Sequence, residues 1–133
     1  MPPRTPAPET PAPTEAELDV LRVLWDRGPS TVREVFDAIA VDKAVGYTTV
    51  LKQMQVMHQK GLLTRSERFR SHVYEPALER AATQQQLASS ILRRAFGGSA
   101  RSLLQSALAG RKVKASELDE IRQLLDDYQR RPK

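Results

Sequence analysis

Cysteine is absent from this chain of 133 residues, which excludes disulfide bonds, thiolate metal ligands and thiol-based redox sensing. Apolar runs stay well short of the roughly 18 residues that a membrane-spanning helix needs, and the N-terminus has no apolar signal core. Histidine occurs only at His58 and His72, and neither has a neighbouring acid at metal-ligand spacing. We therefore expect a cytoplasmic protein without membrane insertion, metal or cofactor, and we do not expect an enzyme.

Carboxylates are missing from residues 46–61, a stretch long enough for about four helical turns. The apolar residues Val50, Leu51, Met54 and Met57 fall on one side of such a helix, which predicts that this side packs. The opposite side offers only hydroxyl, amide and ammonium groups, although amphipathic helices usually carry both signs of charge there. Such groups suit phosphates and the edges of bases, so this helix is predicted to bind nucleic acid.

A basic hairpin is predicted directly after this helix, with two short strands in residues 62–76 and a tip at residues 68–70. Residues 43–72 contain six Lys and Arg residues and one carboxylate, Glu67, so their surplus equals the net charge of +5 of the whole chain. This local excess and this order of elements are typical of the recognition helix and wing of a winged helix-turn-helix domain, so we expect double-stranded DNA as the partner. A solvated helix face beside a blunted sheet edge would give the same pattern without DNA binding.

Two further helices are predicted before this stretch. Residues 1–13 hold six of the nine prolines and almost no large side chain, so a disordered tail is expected there. Thr14 and Glu17 form a capping-box pattern at the start of a helix over residues 15–26, and Ser30-Thr31 starts a second helix. Together with the helix of residues 46–61, these helices would form a winged-helix DNA-binding domain over residues 14–77.

The helical pattern after Pro76 predicts a dimerisation region over residues 78–133. Gly97-Gly98 separates a helix over residues 78–96 from a shorter helix capped by Ser99, and Ser116 with Asp119 forms a capping-box pattern for residues 117–130. These short helices have too little mutual surface for a separate domain, so we expect them to pack against a second chain. Folding back onto the winged helix is the alternative. The apolar residues predicted at the dimer interface are Leu87, Ile91, Leu103, Leu118, Ile121, Leu124, Leu125 and Tyr128.

The order of several short motifs carries a family resemblance that extends over most of the chain. The motifs are Leu18-Asp-Val-Leu-Arg-Val-Leu-Trp25, Gly28-Pro29, Thr31-Val-Arg-Glu-Val35, Tyr47-Thr-Thr-Val-Leu51, Lys60-Gly-Leu62, Val73-Tyr-Glu-Pro76, Phe96-Gly-Gly-Ser-Ala100 and Ser116-Glu-Leu118. With these motifs in this order, the chain resembles the penicillinase-repressor (BlaI/MecI, CopY) family, whose fold is mainly α with a small β-wing. The resemblance implies a winged helix-turn-helix plus a C-terminal helical dimerisation region, and a homodimeric repressor that leaves a palindromic operator when an upstream signal arrives.

Three departures from this family affect what the resemblance implies. Members commonly carry Arg or Lys where this chain has Val56 and a smaller polar residue where it has Lys52, so the operator sequence is expected to differ. The copper-responsive branch ends in paired cysteines, which are absent here. In the β-lactam branch a membrane sensor metallopeptidase cleaves an Asn-Phe bond, and the comparable region here is Gln105, Ser106 and Ala107, without that pair.

The predicted DNA-binding residues fall in three groups. Thr48, Thr49 and Lys52 near the start of the recognition helix are expected to enter the major groove. The remaining residues are expected at the helix flanks and on the wing, and Tyr47 is included through the family resemblance. Two alternatives stay open: a winged helix that binds an acidic protein partner, and a repressor that a small ligand induces directly. The full set is Thr31, Arg33, Tyr47, Thr48, Thr49, Lys52, Gln53, Arg65, Arg68, Arg70 and His72.

Overall fold

The computed structural model describes residues 12–68 and 70–132, so almost all of the predicted Pro-rich tail lies outside the described residues. Within them, helices predominate and the only strands form one small hairpin, which confirms the predicted fold class. One compact unit ends at Leu87 and a second begins at Ala88. The elements in chain order are α1 (Glu15–Arg27), α2 (Val32–Ala40), α3 (Tyr47–Gln59), β1 (Leu63–Arg68), β2 (Ser71–Pro76), α4 (Arg80–Phe96), α5 (Ala100–Ala109) and α6 (Ala115–Arg130).

Both α1 and α2 begin with a capping box. The Thr14 hydroxyl accepts from the Glu17 backbone N–H at 3.2 Å, and the Thr14 backbone N–H donates to the Glu17 carboxylate at 2.9 Å. Thr31 and Glu34 repeat this arrangement at the start of α2. Each box pairs two backbone N–H groups that a bare helix end would leave without an acceptor. The predicted starts of both helices are thus confirmed.

The core lies between the first three helices and the hairpin. In α3 the predicted inner face is confirmed, because Val50, Met54 and Met57 are buried and Leu51 is partly buried. Trp25 packs against the edge of this core, and its indole Nε1 donates to the Leu78 carbonyl at 3.0 Å. The fully buried partners of α3 come from α1, α2 and the hairpin: Val20, Leu21, Leu24, Val35, Leu63 and Tyr74.

The hairpin is tied to the segment before α2 as well as to itself. β1 and β2 pair antiparallel, with Leu63 opposite Pro76 at the base and Arg68 opposite Ser71 at the tip. Ser30 adds a short bridge to β2, because its backbone N–H donates to the Tyr74 carbonyl at 3.1 Å and its carbonyl accepts from Tyr74 at 2.8 Å. This bridge fixes the wing against the start of α2.

The helices after the hairpin differ from the prediction at two starts. α4 begins at Arg80 rather than at Leu78, whose carbonyl is taken by Trp25. The predicted capping box of Ser116 is wrong: the first helical bond of α6 runs from the Leu118 N–H to the Lys114 carbonyl, so Ser116 lies inside the first turn. The predicted cap of α5 is confirmed, since the Ser99 hydroxyl accepts from the Ser102 N–H at 3.1 Å.

The break between α4 and α5 has the geometry that the paired glycines predict. Gly97 and Gly98 have φ values of 56° and 87°, a region that L-residues with side chains rarely adopt. The Gly98 N–H donates to the Leu92 carbonyl and so satisfies the end of α4. Among the described residues, no helix is long and apolar enough to cross a lipid bilayer.

Candidate nucleic-acid interface

The predicted recognition helix is α3, and its outer face begins at its first turn. Gly46 precedes the helix in an extended conformation and makes no side-chain cap, and the first turn contains no acid. Thr48, Thr49 and Lys52 are exposed on this face. Gln53 is only partly exposed, and with Thr49 it lines a cleft of about 370 Å³ beside α1. Thr48, Thr49 and Lys52 therefore present hydroxyl and ammonium groups to solvent.

Four of the predicted residues share one open cleft beside α3. Thr31 and Arg33 come from the start of α2, Tyr47 begins α3, and His72 lies on β2. The cleft has a volume of about 250 Å³. Its hydroxyl, guanidinium and imidazole groups are suited to the oxygen atoms of a phosphate. The fold thus brings together, from three elements, residues that stand up to 41 positions apart in the sequence.

Thr31 has little hydrogen-bonding capacity left for an external ligand. Its hydroxyl oxygen accepts from the Glu34 N–H, and its own backbone N–H donates to the Glu34 carboxylate at 3.1 Å. Hydrogen bonds from the Thr31 backbone and then from the Thr31 side chain hold the pKa of the Glu34 carboxyl below its ordinary value, and the nearby charges of Arg27 and Arg68 act in the same direction. A carboxylate therefore already occupies the N-terminus of α2, and both the backbone N–H and the side chain of Thr31 are engaged with Glu34.

The wing presents its charged residues outward. Arg65, Arg68, Arg70 and His72 are all exposed, and Arg65 lies opposite Tyr74 in the β1–β2 register. Arg70 has a φ of 65°, a left-handed conformation that costs a residue with a side chain about 1–2 kcal/mol. His72 Nε2 lies 3.9 Å from the carboxylate of its cross-strand neighbour Glu67. The hairpin therefore ends in a basic tip, as the sequence predicts.

Two lysines of the predicted basic segment are used within the protein. Lys43 Nζ donates to Asp19 at 2.6 Å, and this hydrogen bond raises the pKa of Lys43. Lys60 Nζ donates to Glu17 at 3.1 Å. The sequence alone predicts both lysines on the DNA-binding surface, because their acidic partners lie 24 and 43 positions away along the chain. The alternation of acids at Glu15, Glu17 and Asp19 is the signal that could have indicated these pairs.

The predicted dimerisation and cleavage residues lie on the later helices. α5 and α6 contain no buried residue. Leu124, Leu125 and Tyr128 of α6 are 66%, 55% and 65% exposed, and Ile91 of α4 is also exposed. Gln105, Ser106 and Ala107 are exposed in the second half of α5. The other four predicted interface residues are partly buried: Leu87, Leu103, Leu118 and Ile121.

Comparison with known proteins places the chain in one family. The family model described as penicillinase repressor matches residues 13–127. The penicillinase repressor of Bacillus licheniformis is 24% identical over 120 residues, which cover 90% of this chain and 94% of that protein. The transcriptional regulator BlaI of Mycobacterium tuberculosis is 30% identical over 118 residues, which cover 86% of this chain and 83% of that protein. The penicillinase repressor of Staphylococcus aureus is 21% identical over 116 residues, which cover 87% of this chain and 92% of that protein. The chain therefore belongs to the penicillinase repressor family.

Proposed function

We propose that this chain is a transcriptional repressor that binds double-stranded DNA through α3 and the β1–β2 wing. The observation that carries the proposal is the outer face of α3, where Thr48, Thr49 and Lys52 are exposed and the first turn contains no acid. A hairpin with exposed Arg68 and Arg70 at its tip follows this helix. The similarity to relatives named penicillinase repressor and transcriptional regulator BlaI supports the same function.

The contacts divide by chemistry into those that choose a sequence and those that supply affinity. Thr methyl groups suit thymine, and the Lys52 ammonium suits guanine O6 and N7, so these side chains of α3 select the base sequence. Arg33, Tyr47 and His72 around the open cleft bind the DNA backbone. Arg65, Arg68 and Arg70 on the wing add backbone or minor-groove contacts, which supply affinity but carry no sequence information directly.

The proposed active form is a homodimer on a palindromic operator. Exposed Leu124, Leu125 and Tyr128 give α6 an apolar stripe, and contiguous apolar surface of this kind is typical of an interface. A symmetric dimer would bury this stripe against its own copy. Two linked winged helices would then read two half-sites, whereas a single module of this size buries only about 600–1,000 Å² on DNA.

Release from the operator is proposed to follow an upstream signal. The resemblance favours cleavage by a membrane sensor metallopeptidase near Gln105, Ser106 and Ala107. Because these residues lie within α5, cleavage there requires the helix to unwind locally. The cleft of about 370 Å³ beside Thr49 and Gln53 favours a second route, in which a small ligand binds next to the recognition helix.

Selection from a library of random duplexes tests the proposal. The chain should enrich an inverted repeat and bind it at least about 10³-fold more tightly than random duplex at the same salt concentration. If no sequence is enriched and an acidic protein partner is captured instead, the winged helix is an interaction module. Incubation of the enriched complex with a sensor metallopeptidase, or with a ligand library in a thermal-shift assay, separates the two release routes.

A further inference from the structure

The recognition helix α3 is bonded to α1 near both of its ends. Lys43, three residues before the Gly46 cap, lies 2.6 Å from Asp19 and 3.5 Å from Glu15 through its Nζ atom. Lys60 is the C-terminal cap residue of α3 and donates to Glu17 at 3.1 Å. All three acids belong to the first five residues of α1.

The spacing of these acids directs the two lysines to different sides of α1. Residues four apart lie on the same side of a helix, so Glu15 and Asp19 face Lys43 together. Glu17, two residues from each, lies on another side and faces Lys60. The 13 residues of α3 span about 20 Å, so the helix is held at two well-separated points. Two such points restrain rotation of α3 about either contact alone.

The bond at the C-terminal end is the more fixed of the two. Glu17 is only 3% exposed, and its second carboxylate oxygen accepts from the Thr14 N–H of the capping box at 2.9 Å. The cap therefore fixes the carboxylate that receives Lys60. The bond at the other end is more open to water, because the side chains of Glu15 and Asp19 are 89% and 23% exposed, whereas that of Glu17 is 4% exposed. Truncation at Lys43 is thus the milder perturbation of the fold.

We propose that Lys43 and Lys60 are positioning residues that set how α3 is presented to DNA, and that neither lysine contacts a phosphate. This inference rests on the proposed DNA-binding function. Base contacts depend on where α3 lies in the groove, whereas phosphate contacts supply affinity for any sequence. The two lysines therefore control sequence discrimination without adding to the salt-dependent affinity.

The test compares Lys60→Gln and Lys60→Arg with Arg70→Gly, which removes a proposed backbone contact at the tip of the wing. The probes are the duplex that the wild-type chain enriches from a random library and a random-sequence duplex of equal length. Lys60→Gln should leave the slope of log K against log salt unchanged on both duplexes. It should also lower the affinity ratio between them about tenfold, as the loss of one base contact would. Lys60→Arg should restore the ratio, whereas Arg70→Gly should flatten the slope by about 0.9 and leave the ratio unchanged.

A fall in slope of about 0.9 for Lys60→Gln would make Lys60 a phosphate contact and overturn the inference, as would an unchanged affinity ratio. Far-UV circular dichroism identifies a variant that has not folded. In that case Lys43→Gln and Asp19→Asn replace Lys60→Gln in the same comparison. Their side chains are more exposed than that of Glu17, so these substitutions should disturb the fold less. If the library yields no enriched sequence, the proposed function fails. The slopes on random duplex still decide whether either lysine binds a phosphate.

Discussion

The guanidinium of Arg33 lies over the ring of Tyr47, with its Cζ atom 5.9 Å from the ring centroid. Phe36 completes the stack, since its ring meets that of Tyr47 edge to face at 5.8 Å and also lies 5.7 Å from Arg33 Cζ. Arg33 Nε also lies 3.5 Å from the Asp37 carboxylate. The stack joins the start of α2 to the start of α3. It therefore positions both Arg33 and Tyr47, which are proposed to contact the DNA backbone.

Tyr47→Phe should weaken binding to selected and random duplexes equally, by about 3–10-fold, because it removes one neutral hydrogen-bond donor and keeps the ring. The salt slope should not change, since no charge is lost. Fluorescence anisotropy titrations on both duplexes measure this effect. Tyr47→Ala is the comparison that also removes the stack on Arg33. If Tyr47→Phe binds as tightly as the wild type, the Tyr47 hydroxyl does not contact the DNA.

Arg70→Gly should weaken binding to selected and random duplexes alike and flatten the slope of log K against log salt by about 0.9. Glycine accepts the left-handed φ of 65° without strain, so the substitution removes the charge and leaves the turn intact. Thermal unfolding should show equal or higher stability for the variant. An unchanged slope in a salt titration would show that Arg70, at the tip of the wing, does not contact the DNA.

Lys52→Ala and Thr49→Ala should relax the sequence preference rather than weaken all binding. Both side chains are exposed on α3, where a good base contact contributes about 1–3 kcal/mol of discrimination. Repeating the library selection with each variant measures which operator position loses its preference. Equal losses of affinity on selected and random duplexes would identify these residues as backbone contacts.

Glu17 should contribute stability that depends on pH. Burial raises the pKa of this carboxyl, but hydrogen bonds from the Thr14 backbone and from Lys60 outweigh burial, so its pKa lies below the ordinary value of 4.5. A depressed folded-state pKa means that the contribution is fully present above pH 4.5 and is lost as the pH falls through the folded-state value. Glu17→Gln should therefore lower the free energy of unfolding at neutral pH, and the difference from wild type should shrink below pH 4.5.

The size of this difference is limited by the exposure of the partner. Because the Lys60 side chain is 54% exposed, we expect about 1 kcal/mol rather than the 3–5 kcal/mol of a fully buried pair. Urea denaturation of the wild type and Glu17→Gln across the pH range provides the measurement. A difference that does not vary with pH would show that the carboxylate charge is not the source of the stability.

Local sequence patterns predicted the elements of the fold because their determinants lie within a few residues. The capping box of Thr14 and Glu17 and the cap of Ser99 are contacts over three positions, and both are confirmed. Ser116 has the same pattern, but α6 begins one residue before it, at Ala115, with Lys114 as the N-cap. Local chemistry alone therefore did not decide that boundary. Helix ends of this kind depend on which of two nearby starts the surrounding chain permits.

Long-range contacts within the candidate site were not accessible from local patterns. The outer face of α3 follows from its periodicity, since Val50, Met54 and Met57 are buried and leave the opposite side to water. The partners of Lys43 and Lys60 lie on α1, and only the folded chain brings them together. A count of charges along the sequence treats such lysines as surface cations, although each is already paired.

Leu125→Asp should split the proposed dimer while the winged helix stays folded. Leu125 is 55% exposed in a single chain, and it stands in a stripe with Leu118, Ile121 and Tyr128 at helical spacing. Burying one leucine stabilises an interface by roughly 1.5–3 kcal/mol, and two-fold symmetry counts each contact twice. A carboxylate at this position would have to be desolvated in both subunits, so the loss should be larger than the loss of packing alone.

The consequence for DNA binding distinguishes a dimer from two independent modules. Operator affinity of Leu125→Asp should fall by orders of magnitude, whereas affinity for random duplex should fall much less. Half-site centres should lie about one helical turn, roughly 34 Å, or a multiple apart on one side of the duplex. Ser116→Asp is the matched control, because it adds the same charge in the first turn of α6, where the helix dipole favours it. Analytical ultracentrifugation of the three proteins gives the assembly state. A monomeric wild type that still binds the selected repeat tightly would contradict both the dimer and the role given to α6.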